Sequence, residues 1–301
     1  IVVSEQKMVE WGKSAQEMLG RVPDSIEVTR PLMNGVIADY EITAGILANA
    51  LQRVGGFVRL FRPTIMITIP DGVTSVERRA VHEAGLQAGS KEAYLIQQPL
   101  AAALGVDLPI GTPSGNMILS LGAGCTQAAV LAMYGIVAGE TMRHGGMYMD
   151  EAIVSYVRKK YGLIIGQITA EYIKIQIGSA VPLDDELTLE IQGQDQVTGL
   201  PRPITLTTGE VVDALQEPLR AVVETARRTL EKTPPELVSD IIDRGVALCG
   251  GGALLRGIDK LLTKELGIPA YLVDNPLTCT AEGAARALGM YNLIRRNLPP
   301  I

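Results

Sequence analysis

Residues 230–262 read LEKTPPELVSDIIDRGVALCGGGALLRGIDKLL, and the centre of this stretch, Val246-Ala-Leu-Cys-Gly-Gly-Gly-Ala-Leu-Leu-Arg-Gly257, decides the fold. Four small or apolar residues make a short buried strand, three glycines end it, and an apolar-periodic helix is expected over about 254–265. Upstream, Thr233-Pro-Pro-Glu236 joins the Thr-x-x-Glu capping pattern to proline in the first turn, so a helix opens there and ends near Arg244-Gly245. Helix, strand and helix with glycine punctuation is the unit of an α/β layer. Backbone without Cβ atoms can pass close to a base or ribose, or aim a helix N-terminus at an anion. The pattern is neither GxGxxG nor a P-loop, and a plain strand–helix turn is the other reading.

A second glycine module lies at Leu119-Ser-Leu-Gly122-Ala-Gly124-Cys-Thr126. Strand, tight turn and strand would let backbone N–H groups approach a phosphate, and an ordinary hairpin is the alternative. The module sits in a stretch, 108–139, that carries no charged residue. Thr112, Ser114, Asn116, Ser120, Thr126 and Gln127, with Pro109, Pro113 and several glycines, interrupt its apolar runs. These exclude a membrane-spanning helix and predict strands over 117–121, 126–133 and 136–141.

Further out, helices are expected over 41–54, from the Thr74-Ser-Val-Glu77 capping box to about 88, and over 99–104, 150–161, 169–177, 208–231 and 282–296. Strands are expected over 64–69, 93–96, 187–192, 204–207 and 270–273. Strands alternate with helices at both ends around a central meander, which predicts α/β layers with a mixed sheet; residues 150–210 read as a smaller insert.

The chain has 301 residues, 47% of them hydrophobic and 20% charged, enough for about two well-packed domains. A net charge of −6 excludes a general basic footprint for nucleic acid. Three cysteines form no CxxC pair and the only histidines are His82 and His144, so neither a disulfide framework nor a metal site is expected. A reducing cytoplasm is the expected compartment. Cys125 and Cys249 read as small buried residues, His82 as a helix-surface residue, and Asp184-Asp-Glu186 as a solvated loop. No signal-peptide pattern opens the chain, and since it begins at Ile1 an N-terminus upstream is expected. Its only two phenylalanines, Phe57 and Phe61, share a loop with Leu60, and Arg53, Arg59 and Arg62 surround it. That composition suits a bilayer interface; covering a sheet edge is the other reading.

The two glycine modules, with a short helix after an Ile96-Gln-Gln-Pro99 turn, resemble the actin/DnaK/hexokinase ATPase fold. RPLMNGVIADYEIT (30–43), VERRAVHEAGLQAG (76–89), MDEAIVSYVRKKYGLIIG (149–166), VTGLPRPITLTTGEV (197–211) and residues 230–262 resemble the MreB family of bacterial actins over essentially the whole chain. The resemblance implies two lobes flanking a cleft, each with a base α/β subdomain and a smaller one. Residues 1–41 would be the first small subdomain, 42–112 with 282–301 the first base, 113–148 with 213–281 the second base, and 149–212 its small subdomain. It implies a cytoskeletal, cell-shape protein that assembles with itself into protofilaments and sits peripherally on the inner face of the cytoplasmic membrane through Phe57, Leu60 and Phe61. Partners would include an active MreB or other cell-elongation proteins, and no nucleic acid. ATP or ADP with Mg²⁺ would be the ligand, at Gly122, Gly124, Cys125, Thr126, Gly145, Gly146, Glu171, Lys174, Gly250, Gly251, Gly252 and Ala253.

Departures from the family pattern cluster on the phosphate side. The family's opening Asp-Leu-Gly-Thr loop has no counterpart here. In its second loop, Asp-Ile-Gly-Gly-Gly-Thr, the Asp is Ser120, the middle Gly is Ala123 and the Thr is Cys125. Its Glu-Glu-Pro turn is Gln97-Gln98-Pro99, and its Gly-Gly-Asp is Gly145-Gly146-Met147. An amide cannot take a proton from water as a carboxylate can, and losing a general base costs ~10²–10⁴ in rate. Ser120 and Met147 remove carboxylates able to hold a Mg²⁺ hydration shell. The expectation is a divergent structural actin with weakened nucleotide binding and without efficient hydrolysis. The alternative is an active filament-forming ATPase whose first phosphate loop lies upstream of Ile1. A sugar or acyl kinase of the same superfamily lacks a candidate substrate base.

Overall fold

The computed structural model describes residue 8, residues 10–55 and residues 62–300. Contacts divide the chain into two units, residues 1–69 with 73–97 and 298–301, and residues 70–72 with 98–297.

In the first unit, α1 (Lys13–Glu17) precedes a hairpin of β1 (Leu32–Met33) and β2 (Val36–Ile37). Asn34 and Gly35, both at positive φ, make its turn. Helix α2 (Tyr40–Gly55) is capped by the Asp39 carboxylate, which accepts the Ile42 N–H at 2.9 Å. Strands β3 (Thr64–Ile69) and β4 (Glu92–Gln97) pair in parallel, and α3 (Ser75–Gln87) is their crossover. The Thr74–Glu77 capping box forms with both reciprocal bonds. His82 is half-buried rather than at the surface, because its Nδ1 bonds the Ala93 carbonyl at 2.8 Å across to β4.

In the second unit, α4 (Gln98–Gly105) leads to β5 (Asn116–Leu121), β6 (Thr126–Ala132) and β7 (Gly135–Met142). After α5 (Gly146–Tyr161), β8 (Leu163–Ile164) and α6 (Gln167–Ile177), β9 (Thr188–Asp195) and β10 (Pro201–Thr207) form a hairpin, and β8, β9 and β10 make one antiparallel sheet. Helix α7 (Thr208–Glu231) runs unbroken through Pro218. Then follow α8 (Pro235–Arg244), β11 (Val246–Cys249), α9 (Ile258–Leu266), β12 (Ala270–Leu272), α10 (Cys279–Gly289) and α11 (Tyr291–Ile294). The main sheet runs β12-β11-β5-β6-β7, parallel on the β12 side and antiparallel across the meander. From Asn116 on, stretch 108–139 is thus strands and turns of this sheet, and among the described residues no helix is long and apolar enough to cross a membrane.

Three local expectations are corrected. Thr233 does not cap α8; its buried hydroxyl donates back to the Thr229 carbonyl at 2.7 Å, and Pro234 is the capping residue. The glycines after β11 do not open an α-helix. They wind one 3₁₀ turn, Gly251–Leu254, and α9 starts only after Gly257, whose φ is 70°. The helix expected over 282–296 begins earlier, at Cys279, and breaks at Met290, whose N–H is shared between the Arg286 and Ala287 carbonyls.

Candidate functional site

Because β11 pairs in parallel with β5, Cys249 opposite Ser120, the two glycine modules emerge side by side at the same end of the sheet's strands. The β5–β6 turn closes through Gly122 N–H to the Cys125 carbonyl at 2.9 Å, with Ala123 and Gly124 at its tip. Gly250 has φ 85°, and a Cβ there would stand 2.4 Å from the Leu121 carbonyl oxygen. A third turn joins them. Gly146 N–H donates to the Gly122 carbonyl and Met147 N–H to the Ala123 carbonyl, each at 2.9 Å, so backbone packs directly on backbone. A Cβ on Gly145 would lie 2.3 Å from the Gly122 oxygen.

Lys174, on α6, points into this centre. Its ammonium donates to the Gly146 carbonyl at 2.8 Å and pairs with Asp150 at 2.7 Å. Glu171 is half-buried one turn earlier on the same helix. The structure therefore gathers the 122–126, 145–146 and 250–253 segments with Lys174 in one unit. Phe57, Leu60 and Phe61 lie outside the described residues.

Gly251 behaves differently from its neighbours. It is exposed, its φ is not left-handed, and an added Cβ would meet only the Leu277 side chain at 3.5 Å, an ordinary contact. Packing of this chain does not require glycine there.

Beside the β5–β6 turn is a chain of amides. Asp71 N–H, an unambiguous donor, bonds Gln127 Oε1 at 2.8 Å. That fixes the Gln127 amide with Nε2 toward Gln98, where it donates to Gln98 Oε1. Cys125 Sγ also lies 3.8 Å from that oxygen. The acceptor end of Gln98 is thus occupied, and the Nε2 end is the one without a partner among the described residues. Gln98 can donate to an anion and cannot serve as a base. The nearby carboxyl, Asp71, turns Oδ2 toward Gly139, where an added Cβ would sit 2.8 Å away, and burial pushes its pKa up against one backbone N–H from Gly72.

Neither Gln127, read from sequence only as an interruption of an apolar stretch, nor Asp71 is among the candidate site residues expected from sequence. Gln127 stands two positions past Cys125, on the same face of the extended chain, which was the available signal. Thr126 Oγ1 is buried with no hydrogen-bond partner among the described residues. Burial raises the Cys125 thiol, against the Gln127 bond and the Arg143 charge, which argues against a nucleophile. His144 is exposed, its ring centroid 4.5 Å from that of Tyr148 and the two rings tilted by 41°. Among the described residues no group of three or more His, Cys, Asp or Glu is placed to hold a metal ion.

The sequence profile of the MreB/Mbl protein family matches residues 1–296. The chain belongs to the MreB/Mbl family. It is 44% identical to the cell shape-determining protein MreB of Escherichia coli (strain K12) over 292 residues, 96% of this chain and 84% of that protein. Among solved structures, MreB5 of Spiroplasma citri bound to ADP superposes with TM-score 0.90 at 31% identity, covering 96% of this chain and 87% of the other. The AMPPNP-bound structure of the same protein gives 0.91 and 31%, with 98% and 89% coverage. A MamK double helical filament, 19% identical with TM-score 0.78 over 92% of this chain and 84% of the other, shares the fold. The fold of the family is the actin-like ATPase fold.

Proposed function

We propose that this chain is an MreB-like cell-shape scaffold that binds an adenine nucleotide mainly through its adenosine side, hydrolyses ATP slowly or not at all, assembles with copies of itself, and works at the inner face of the cytoplasmic membrane. The four-subdomain division drawn from sequence belongs to the same reading.

The observation that carries the loss of hydrolysis is the polarity of Gln98. An attacking water needs a base for its proton, and the residue in the family's Glu position is an amide, which takes none, its carbonyl oxygen accepting from Gln127. Ser120 and Met147 supply no carboxylate, and Asp150 is held by Lys174. The residues present therefore do not fit a Mg²⁺ site. They do fit an adenosine. The exposed backbone of Gly251 offers a base or ribose close approach, and Lys174, its charge balanced by Asp150, lies beside the 145–146 turn. The two nucleotide-bound MreB5 structures support the binding half of this reading, and the E. coli relative's role in cell shape supports the scaffold half.

The test is to titrate the 301-residue chain with fluorescent ADP and ATP and to follow phosphate release. Binding without release above background is expected. Robust turnover that Gly251→Asp abolishes would overturn the reading.

A further inference from the structure

Gln127, the second residue of β6, is fully buried, and both ends of its amide are engaged. Its Oε1 accepts from Asp71 N–H at 2.8 Å, and its Nε2 donates to Gln98 Oε1 and, at 3.5 Å, to Cys125 Sγ. Backbone holds the partners on either side. The Asp71 carbonyl accepts the Thr141 hydroxyl at 2.9 Å, which ties turn 70–72 to β7. Gln98 opens α4, and every later residue of that helix is buried.

A side-chain amide has a donor end and an acceptor end, and nothing within Gln98 decides which of them is left free. Gln127 decides it. A backbone N–H occupies the Gln127 oxygen, so only its N–H groups remain for Gln98, and Gln98 must turn its own oxygen toward them. Gln98 is half-buried, and its Nε2 has no partner among the described residues. The relay from Asp71 through Gln127 therefore ends in a free N–H donor beside the β5–β6 turn.

Strand order places that donor relative to the other glycine turn. The sheet runs β11-β5-β6, with the 250–252 turn after β11 and Gln127 on β6. Neighbouring strands lie about 4.8 Å apart, so β6 is displaced by roughly 10 Å from β11. A nucleotide with its adenosine on the 250–252 turn crosses toward β6 only with its phosphate chain, and its outermost phosphate travels farthest. Phosphate oxygens accept hydrogen bonds and do not donate them once ionised, so a fixed N–H is the group that matches them.

We propose that Gln127 is a positioning residue that holds Gln98 as a hydrogen-bond donor to the terminal phosphate of a bound nucleoside triphosphate, so that the site favours the triphosphate over the diphosphate while offering no base to hydrolyse it. This role rests on the nucleotide binding proposed for the chain. Adenosine contacts supply most of the affinity, and the Gln98 bond supplies the preference.

Affinities for ADP and for the slowly hydrolysed triphosphate analogue AMPPNP are measured by displacement of fluorescent ADP. In the parent, AMPPNP is expected to bind about tenfold more tightly than ADP, the effect of one hydrogen bond to a charged group. Gln98→Leu removes the donor and should bring the ratio close to one. Gln98→Glu places a carboxylate against the phosphate and should reverse the ratio. Gln127→Met leaves Gln98 free to turn either end outward, and should lower the ratio in the parent but not in the Gln98→Leu background, because Gln127 acts only through Gln98. The ADP affinity of each variant reports its fold and its adenosine contacts, and the two Gln98 variants test the donor without any change at the buried position. A parent ratio of one, a ratio that survives Gln98→Leu, or a further fall caused by Gln127→Met in that background overturns the proposal and leaves nucleotide binding intact. A parent that binds neither nucleotide overturns the nucleotide reading itself, and this role with it.

Discussion

Gly250, Gly251 and Gly252 stand in a row for different physical reasons, and substitution separates them. Gly250 adopts φ 85° with the Leu121 carbonyl against its missing Cβ, so Gly250→Ala meets both backbone strain and a rigid neighbour. A loss of more than ~2 kcal/mol is expected in denaturant unfolding, with ligand absent. Gly251→Ala meets neither, and its stability should stay within ~0.5 kcal/mol of the parent. The same variant should weaken nucleotide binding at least tenfold, and Gly251→Asp should abolish it by adding a charge where a polyanion or ribose must pass. If Gly251→Ala binds nucleotide as the parent does, the turn does not contact the ligand. At this scale the turn that ends β11 was legible from sequence, because three successive glycines end the strand. The Asp71–Gln127–Gln98 chain was not legible, since turn 70–72 and strand register bring together residues 71, 98 and 127. Gln98→Glu keeps the Gln127 donation, so the variant should fold normally. Phosphate release should rise little while Ser120 and Met147 remain.

Elements were legible where one periodicity or one capping pattern governed them. Helix α7 and the meander lie within a residue or two of expectation, and the Thr74–Glu77 box closes as its spacing requires. Thr233-Pro-Pro-Glu236 has the same letters in the same order. It fails because Thr233 is still bonded to the last turn of α7, a tertiary and chain-continuity effect that local spacing does not carry. The close crossing of α4 and α10 was likewise invisible. A Cβ on Gly105 would lie 1.9 Å from the Cys279 carbonyl oxygen, and one on Gly283 would lie 1.7 Å from that of Ala101. Backbone faces backbone, so Gly283→Ala has no flexible side chain to displace. It should cost at least ~3 kcal/mol or abolish folding, read by denaturant unfolding or loss of soluble yield. Where α5 ends and α7 begins, Glu210 accepts from Thr207 N–H at 2.9 Å, pairs with Lys160 at 2.6 Å and accepts the Tyr161 hydroxyl. Burial raises its pKa, but these bonds outweigh that and hold it below the usual Glu value. A depressed folded pKa gives stability that is present above the unfolded pKa, about 4.3, and lost as pH falls through the folded value. Glu210→Gln retains the capping geometry and loses the charge. It should be less stable than the parent at pH 7 by under about 1 kcal/mol after solvent screening, and the deficit should vanish on acidification through the carboxylate range. A deficit that persists at low pH would mean that geometry rather than charge is lost.

For the whole molecule, the membrane prediction depends on how many copies act together. The chain carries a net charge of −6, so an anionic bilayer repels it except where arginines gather, and Arg53, Arg59 and Arg62 gather around Phe57, Leu60 and Phe61. The segment joins the end of α2 at Gly55 to the start of β3 at Thr64. On this expectation, transfer of Leu60 and Phe61 into the interface would contribute roughly 3–6 kcal/mol. Each arginine near anionic headgroups adds ~1 kcal/mol, and the cost of immobilising a protein on a surface offsets much of the sum. One copy should therefore bind weakly and in a salt-dependent way. Copies joined in a polymer hold one another at the surface, so binding should rise steeply with assembly without any new contact. Flotation with anionic liposomes should recover a small fraction of dilute chain and most of it under assembling conditions. The double change Leu60→Ser, Phe61→Ser should abolish both recoveries while the melting temperature stays unchanged. Flotation of the double variant equal to that of the parent would remove this loop from the anchor, and equal recovery at all concentrations would remove avidity from the account.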